Sequence, residues 1–163
     1  GVLGVSIDEA KELLGQYHVK VPFVKDIADI AMKQGQNAGQ VRTILGRRCR
    51  FDMWEPKSYQ YNKPMNFDNA IKNYGGKGMI RRAFTYKALN RLIQGSAADQ
   101  TKKAMLECYK AGYQPLLQVH DELCFSIKEG EEKDIAEIME TCVDLLVPSK
   151  VDVAIADNWG DVD

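Results

Sequence analysis

The sequence predicts an α+β fold: three antiparallel strands backed by helices, preceded by a helical segment and a basic hairpin. Three observations carry this expectation. Apolar residues recur at spacings of three and four over 10–32, 89–108 and 135–146, the period of a helix with one buried face. Between the last two of these stretches stands Leu116-Leu117-Gln118-Val119-His120-Asp121-Glu122-Leu123-Cys124-Phe125-Ser126-Ile127, an apolar strand, a polar corner and a second apolar strand. Near the end, Val151, Val153 and Ile155 alternate with Asp152 and Ala154, the pattern of a half-buried strand.

Ser6-Ile7-Asp8-Glu9 is a capping box, with Ser6 as N-cap and Glu9 reaching back. The helix it opens carries Ala10, Leu13, Leu14 and Tyr17 on one face. Pro22 suits the first turn of a second helix, whose period runs through Val24, Ile27, Ala28, Ala31 and Met32 until the glycine- and amide-rich stretch 35–39 ends it. Residues 40–51 predict a small hairpin turning near Leu45-Gly46, with Arg47, Arg48 and Arg50 on one arm. Arginines so placed can hold phosphates bidentately, or keep a strand edge from aggregating; the pattern leaves both open.

Residues 52–80 carry turn signals at Trp54-Glu55-Pro56, Asn62-Lys63-Pro64 and Tyr74-Gly75-Gly76-Lys77-Gly78. They predict an inserted surface segment with one short helix over 66–74. Tyr59, Tyr61 and Tyr74, interleaved with Lys57, Lys63, Lys72 and Lys77, suit stacking plus charge on nucleic acid, or simply pin the segment to the body. A long helix is expected from about Ile80 to Ala111, with Leu89, Ile93, Ala97, Thr101, Ala104 and Cys108 as its apolar stripe and Gly112 at C′. Asn90 and Gln94 share a face of it, as ordinary solvated polarity or as amides able to read minor-groove acceptors. A further helix is predicted over Gly130 to Val147, its outer face acidic and its end set by Pro148. These boundaries divide the chain into 1–51, 52–80 and 81–163.

With 163 residues and 45% hydrophobic content, one domain, or one plus an appendage, is expected. No run of eighteen apolar residues predicts a membrane span. The opening Gly1-Val2-Leu3-Gly4 lacks a basic leader and a starting Met, so a chain cut, processed or taken from something longer is expected, without a signal peptide. The four cysteines form no CxxC pair and the histidines number two, which argues against structural zinc and for buried thiols in a reducing compartment. The net charge of −1 hides an asymmetry: 19 basic against 10 acidic residues in 1–110, and 3 against 13 in 111–163. From Arg42 to Arg91 the balance is 12 to 3, a density that suits a polyanionic partner.

The corner is the least comfortable stretch. Two-residue hairpin turns want Asn-Gly, Asp-Gly or Gly-X, because their central residues need positive φ. This corner has no glycine, and its adjacent carboxylates repel each other. Residues that work against local geometry point to function. Asp121 and Glu122 could ligate Mg²⁺, a hard cation that prefers oxygen; a solvated acidic turn is the alternative.

Val119-His120-Asp121-Glu122 within an apolar hairpin resembles the third polymerase motif of the family A DNA polymerases, the DNA polymerase I and phage replicase group. Asn90-Arg91-Leu92-Ile93-Gln94-Gly95-Ser96-Ala97-Ala98-Asp99 is similar to the helix that precedes that motif. Thr43-Ile44-Leu45-Gly46-Arg47-Arg48 resembles the hairpin leaving the fingers, residues 4–24 the helices after the nucleotide-binding helix, and Val151 through Trp159 the closing strand. The resemblance runs through nearly the whole chain in the family's order.

It implies a three-stranded palm sheet backed by helices, behind a fingers segment at the N-terminus. It implies Asp121 as a ligand of catalytic Mg²⁺, Glu122 as its acidic neighbour at the metals, and His120 beside the primer terminus. Asn90 and Gln94 would face the minor groove of the primer–template, with Gln118, Arg47 and Arg48 as further DNA contacts. The implied reaction is two-metal phosphoryl transfer from dNTPs to a primer 3′-hydroxyl. The implied compartment is the cytoplasm of a bacterium or phage-infected host. Tyr86 stands where the group usually has an arginine, and 52–81 is longer than the usual connection. The motif bearing the other essential aspartate, and the helix gripping the nucleotide, have no counterpart in 1–163. The expectation is therefore a C-terminal polymerase piece, inactive alone and dependent on an N-terminal portion. A non-catalytic DNA- or partner-binding module derived from a palm is the alternative.

Overall fold

The computed structural model describes residues 4–58 and 63–161. These form five α-helices and three separate two-stranded antiparallel ladders, and the chain divides into two compact units, Gly1–Ile93 and Gln94–Asp163.

In the first unit, helix α1 (Ile7–Lys20) starts as its capping box dictates: the Glu9 N–H donates to Ser6 Oγ at 3.3 Å and the Ser6 N–H to Glu9 Oε2 at 2.8 Å. None of its residues is buried, so the face of Ala10, Leu13, Leu14 and Tyr17 stays open. Helix α2 (Pro22–Ala38) has Pro22 at its start and Gly39 beyond its end at φ 70°. The helix ends within the predicted stretch 35–39, with Gly35 still inside it: a Cβ there would stand 3.1 Å from Phe51 Cε2, so the bare backbone lets the ring close on the helix. Strands β1 (Gln40–Arg42) and β2 (Arg48–Arg50) pair with Val41 opposite Cys49. Their turn is closed by Gly46 N–H to Thr43 O at 2.8 Å and Thr43 N–H to Arg47 O at 2.9 Å. Ala31, Val41, Phe51 and Ala88 form the core, with Cys49, Phe84, Leu89 and Leu92 packed around it.

Part of the segment expected as irregular is built on a ladder. Strand β3 (Trp54–Pro56) pairs with β4 (Ile80–Arg82), and helix α3 (Phe67–Tyr74) lies between them in sequence. Asn66 caps α3 through the Asn69 N–H at 3.0 Å, near the sequence expectation. The Trp54 ring meets Phe67 at 4.9 Å, and Pro56, Ala70, Ile80 and Ala83 are buried. A three-residue strand is too short to show period-two alternation, and Pro56 disguises it as a turn. Tyr59 and Tyr61 lie outside the described residues.

The long helix, α4 (Ala88–Lys110), begins at Ala88 and not near Ile80. Ile80–Arg82 is taken by the ladder, and Phe84, at φ 62°, turns the chain into a short 3-10 turn over Thr85–Lys87. Gln36 pins this corner. Its Nε2 donates to Arg82 O (2.8 Å) and Thr85 Oγ1 (2.7 Å), and its Oε1 accepts from the Arg82 N–H (3.0 Å).

In the second unit, Thr101, Ala104 and Cys108 of α4 are buried, while Ala97 is exposed. Gly112, at φ 98°, ends α4, and the Tyr113 N–H closes onto Cys108 O at 2.9 Å. Strands β5 (Pro115–Val119) and β6 (Glu122–Phe125) form the predicted hairpin, with an irregularity in register between Pro115 and Leu117. Helix α5 (Glu132–Thr141) buries Ile135 and stops short of the Val147 expected for it; Leu146 and Val147 are exposed.

The predicted third strand does not form. Among the described residues β5 and β6 make a two-stranded ladder, and residues 151–155 join no strand. The return chain is tied elsewhere: Glu140 Oε1 accepts from the Val151 N–H (3.0 Å), its Oε2 from Lys150 Nζ (3.3 Å), and Gln100 Nε2 donates to Ser149 Oγ (2.8 Å). Val153 and Ile155 are left exposed. Among the described residues no helix is long and apolar enough to cross a membrane.

Candidate functional site

The acidic corner follows from the register of β5 and β6. Val119 pairs with Glu122, which leaves His120 and Asp121 as a two-residue turn. The absence of glycine is met at His120, whose φ is 54°; Asp121 keeps an ordinary negative φ. For a residue with a Cβ this left-handed conformation costs on the order of 1 kcal/mol, although histidine adopts it more readily than most. Gln118 Nε2 donates to the His120 carbonyl at 3.0 Å, closing the turn from the strand behind it. Asp121 and Glu122 are both exposed at the end of this ladder. Their oxygens are hard donors of the kind Mg²⁺ takes, and the register of the ladder sets the backbone that carries them. Among the described residues no group of three or more His, Cys, Asp or Glu side chains gathers around one point as a metal site would require.

Burial pushes the Cys108 and Cys142 thiols up from their ordinary value, away from the thiolate a nucleophile needs.

The basic surface belongs to the first unit. Arg47 and Arg48 are exposed where the β1–β2 hairpin turns into β2, and Arg42 and Arg50 flank them. Asn90 is exposed in the first turn of α4. Gln94 is exposed one turn further along the same helix, as the four-residue spacing predicts.

Sequence reasoning passed over Arg91. Its Nη1 donates to the Arg50 carbonyl at 2.9 Å and its guanidinium lies 4.5 Å from the centre of the Phe51 ring. The one signal available was its position in the basic block beside Asn90; nothing in a helical period says that it reaches β2.

Residues 1–161 match the family described as DNA polymerase family A. A DNA-directed DNA polymerase of Pseudomonas phage M6 is 42% identical over 153 residues, covering 93% of this chain and 20% of the phage protein. DNA polymerase I of Borreliella burgdorferi is 31% identical over 170 residues, covering 98% of this chain and 17% of that protein. This chain therefore spans about a fifth or less of the length of those relatives. Among solved structures, the POL domain of Pol1 from M. smegmatis, in complex with DNA primer-template and dNTP, is similar at 33% identity and a TM-score of 0.63, over 90% of this chain and 24% of that one. With a family match that runs from its first residue to within two of its last, the chain belongs to DNA polymerase family A.

Proposed function

We propose that this chain contributes one side of the catalytic centre of a template-directed DNA polymerase, together with part of the surface that holds the primer–template. The observation that carries this reading is the corner at 119–122, where a ladder closed through His120 at φ 54° carries two consecutive, exposed acidic residues. Asp121 would hold a divalent ion through its carboxylate, with Glu122 as the neighbouring oxygen donor. Bound Mg²⁺ supplies charge neutralisation and activation of a hydroxyl in phosphoryl transfer. His120, held by Gln118, would orient the primer terminus. Asn90 and Gln94 would meet minor-groove acceptors, which are shared by all base pairs and so suit a surface that must not depend on sequence. Arg47, Arg48 and Gln118 would complete the hold on DNA, the arginines through phosphates.

Asp121 and Glu122 alone are too few ligands for two ions. The remaining carboxylate and the groups that hold dNTP would come from an N-terminal polymerase portion. The test is primer extension. The 163-residue chain by itself is expected to extend no primer. Combined with a matching N-terminal portion it should do so, and Asp121→Ala should lower the rate by several orders of magnitude, as expected when a metal-binding carboxylate is removed. Extension by the chain alone would overturn the requirement for a partner. Full activity of Asp121→Ala would remove Asp121 from the centre and leave the non-catalytic binding module as the better reading.

A further inference from the structure

Arg91 has no part in the site proposed above, yet it is fastened to the basic hairpin at two points. Its Nη1 donates to the Arg50 carbonyl at 2.9 Å, at the end of β2, and its guanidinium stacks 4.5 Å from the Phe51 ring centre. Both partners are themselves held. Phe51 is 2% exposed in the core with Ala31, Val41 and Ala88, and its N–H donates to Gly39 O at 2.8 Å. Arg50 is paired with Gln40 across the ladder. The first turn of α4 is thereby tied to the strand that begins with Arg48.

The choice of residue is informative. A cation at this position adds to the positive charge of the β1–β2 hairpin, and an uncharged side chain could fill the same space. Guanidinium does what neither methionine nor lysine can: it stacks flat on a ring while donating in its own plane.

We infer that Arg91 is a positioning residue, a strut that fixes the Arg47–Arg48 arm relative to Asn90 so that both meet one DNA duplex without reordering. The inference rests on the reading of Arg47, Arg48 and Asn90 as a DNA surface. Its physical basis is preorganisation: side chains and strands set before binding do not have to be ordered during it.

The test is a double-mutant cycle on the full chain, read by fluorescence anisotropy with a labelled primer–template duplex at two salt concentrations. Arg91→Met removes charge, stack and hydrogen bond; Arg91→Lys keeps the charge alone. Each is expected to weaken binding about fivefold to tenfold, the scale on which ordering of a few side chains shifts affinity. In a background of Arg47→Ala with Arg48→Ala, either should change affinity less than about twofold, since there is no arm left to position. A lysine variant that binds as the wild type would overturn the inference in favour of a simple charge effect. So would a loss of equal size in both backgrounds, which is the signature of a direct phosphate contact or of general destabilisation. If Arg91→Met does not fold, Arg91→Lys carries the same two comparisons. Should the Arg47→Ala/Arg48→Ala pair bind duplex as well as the wild type, the DNA-surface reading itself fails; if that pair weakens binding and the Arg91 variants do not, the strut alone fails.

Discussion

Gly39→Ala tests whether Arg82 acts as a clamp in the first unit. Gly39 has φ 70°, and an added Cβ would stand 2.6 Å from Arg82 Cζ, 2.7 Å from Nη2 and 2.9 Å from Nη1. The guanidinium would have to leave, although the end of a long side chain can swing aside. The cost is then what it leaves behind: a hydrogen bond from Nη1 to Phe51 O at 2.8 Å and a stack on the Trp54 ring at 4.5 Å. A charged hydrogen bond contributes about 1.5–3 kcal/mol and a cation–π contact about 0.5–1 kcal/mol. The left-handed backbone adds about 1 kcal/mol, and the stiffer unfolded chain returns about 0.4–1 kcal/mol. The net expectation is a loss of about 2–4.5 kcal/mol. Gly46→Ala is the control: its φ is 85° but nothing stands within 4 Å of the new Cβ, so only the strained backbone and the unfolded-state entropy act, a net loss smaller than that of Gly39→Ala. Urea unfolding followed by Trp54 fluorescence, with Trp159→Phe to silence the other tryptophan, reads the difference as a shift in midpoint at constant slope. Equal losses in the two alanine variants, or a Gly39→Ala loss below about 0.5 kcal/mol, would refute the clamp.

Two glycines within helices should respond with opposite signs. Gly35→Ala sets its Cβ 3.1 Å from Phe51 Cε2 and 3.4 Å from Thr85 Cγ2, and Phe51 is buried, so crowding of about 1–3 kcal/mol should outweigh the gain in helix propensity; Gly15→Ala meets nothing within 4 Å and should gain about 0.5–1 kcal/mol, both measured by urea titration. The Glu9 carboxyl is held below its ordinary pKa, first by the Ser6 backbone N–H and then by the Ser6 hydroxyl. Because the folded value is depressed, its support for α1 is present above the unfolded value, near about 4.3, and is lost as pH falls through the lower folded value. Far-UV circular dichroism on acidification should therefore show a helix loss in the wild type that Glu9→Gln lacks; identical curves would remove Glu9 from that role.

Features decided within a few residues were legible in advance. The capping box at Ser6 and Glu9, Pro22 opening α2, the turn at Gly46 and the stop at Gly112 are each set by local backbone chemistry, and each is in place. Features set by distant partners were not. Trp54–Pro56 pairs with a strand that begins at Ile80, and nothing in three residues announces the partner. Ile80–Arg82 continues the apolar spacing of α4 in sequence, but the ladder and the grip of Gln36 on both Arg82 backbone groups override that preference. Alternation over Val151–Ile155 marks residues able to form a strand; without an adjacent edge it remains a capacity. The same distinction explains the candidate site. Asn90, Gln94 and Asp121 stand in local patterns, whereas Arg91 matters through a contact with Arg50 that links positions 41 residues apart.

The corner at 119–122 joins the two kinds of evidence. Sequence alone shows a tight turn lacking the glycine such turns prefer, and the structure shows where the mismatch falls: on His120, at φ 54°. Glycine there would relieve the backbone, and it would also widen the range of conformations open to the turn. A Cβ restricts that range, and the bond from Gln118 Nε2 to the His120 carbonyl restricts it further. Asp121 follows directly and Glu122 is already in the ladder, so the backbone positions of both residues are set by the pairing of Val119 with Glu122. On the reading proposed above, a cation beside Asp121 and Glu122 would offset the repulsion between like charges on consecutive residues, and a turn of restricted backbone would hold their Cα positions for it.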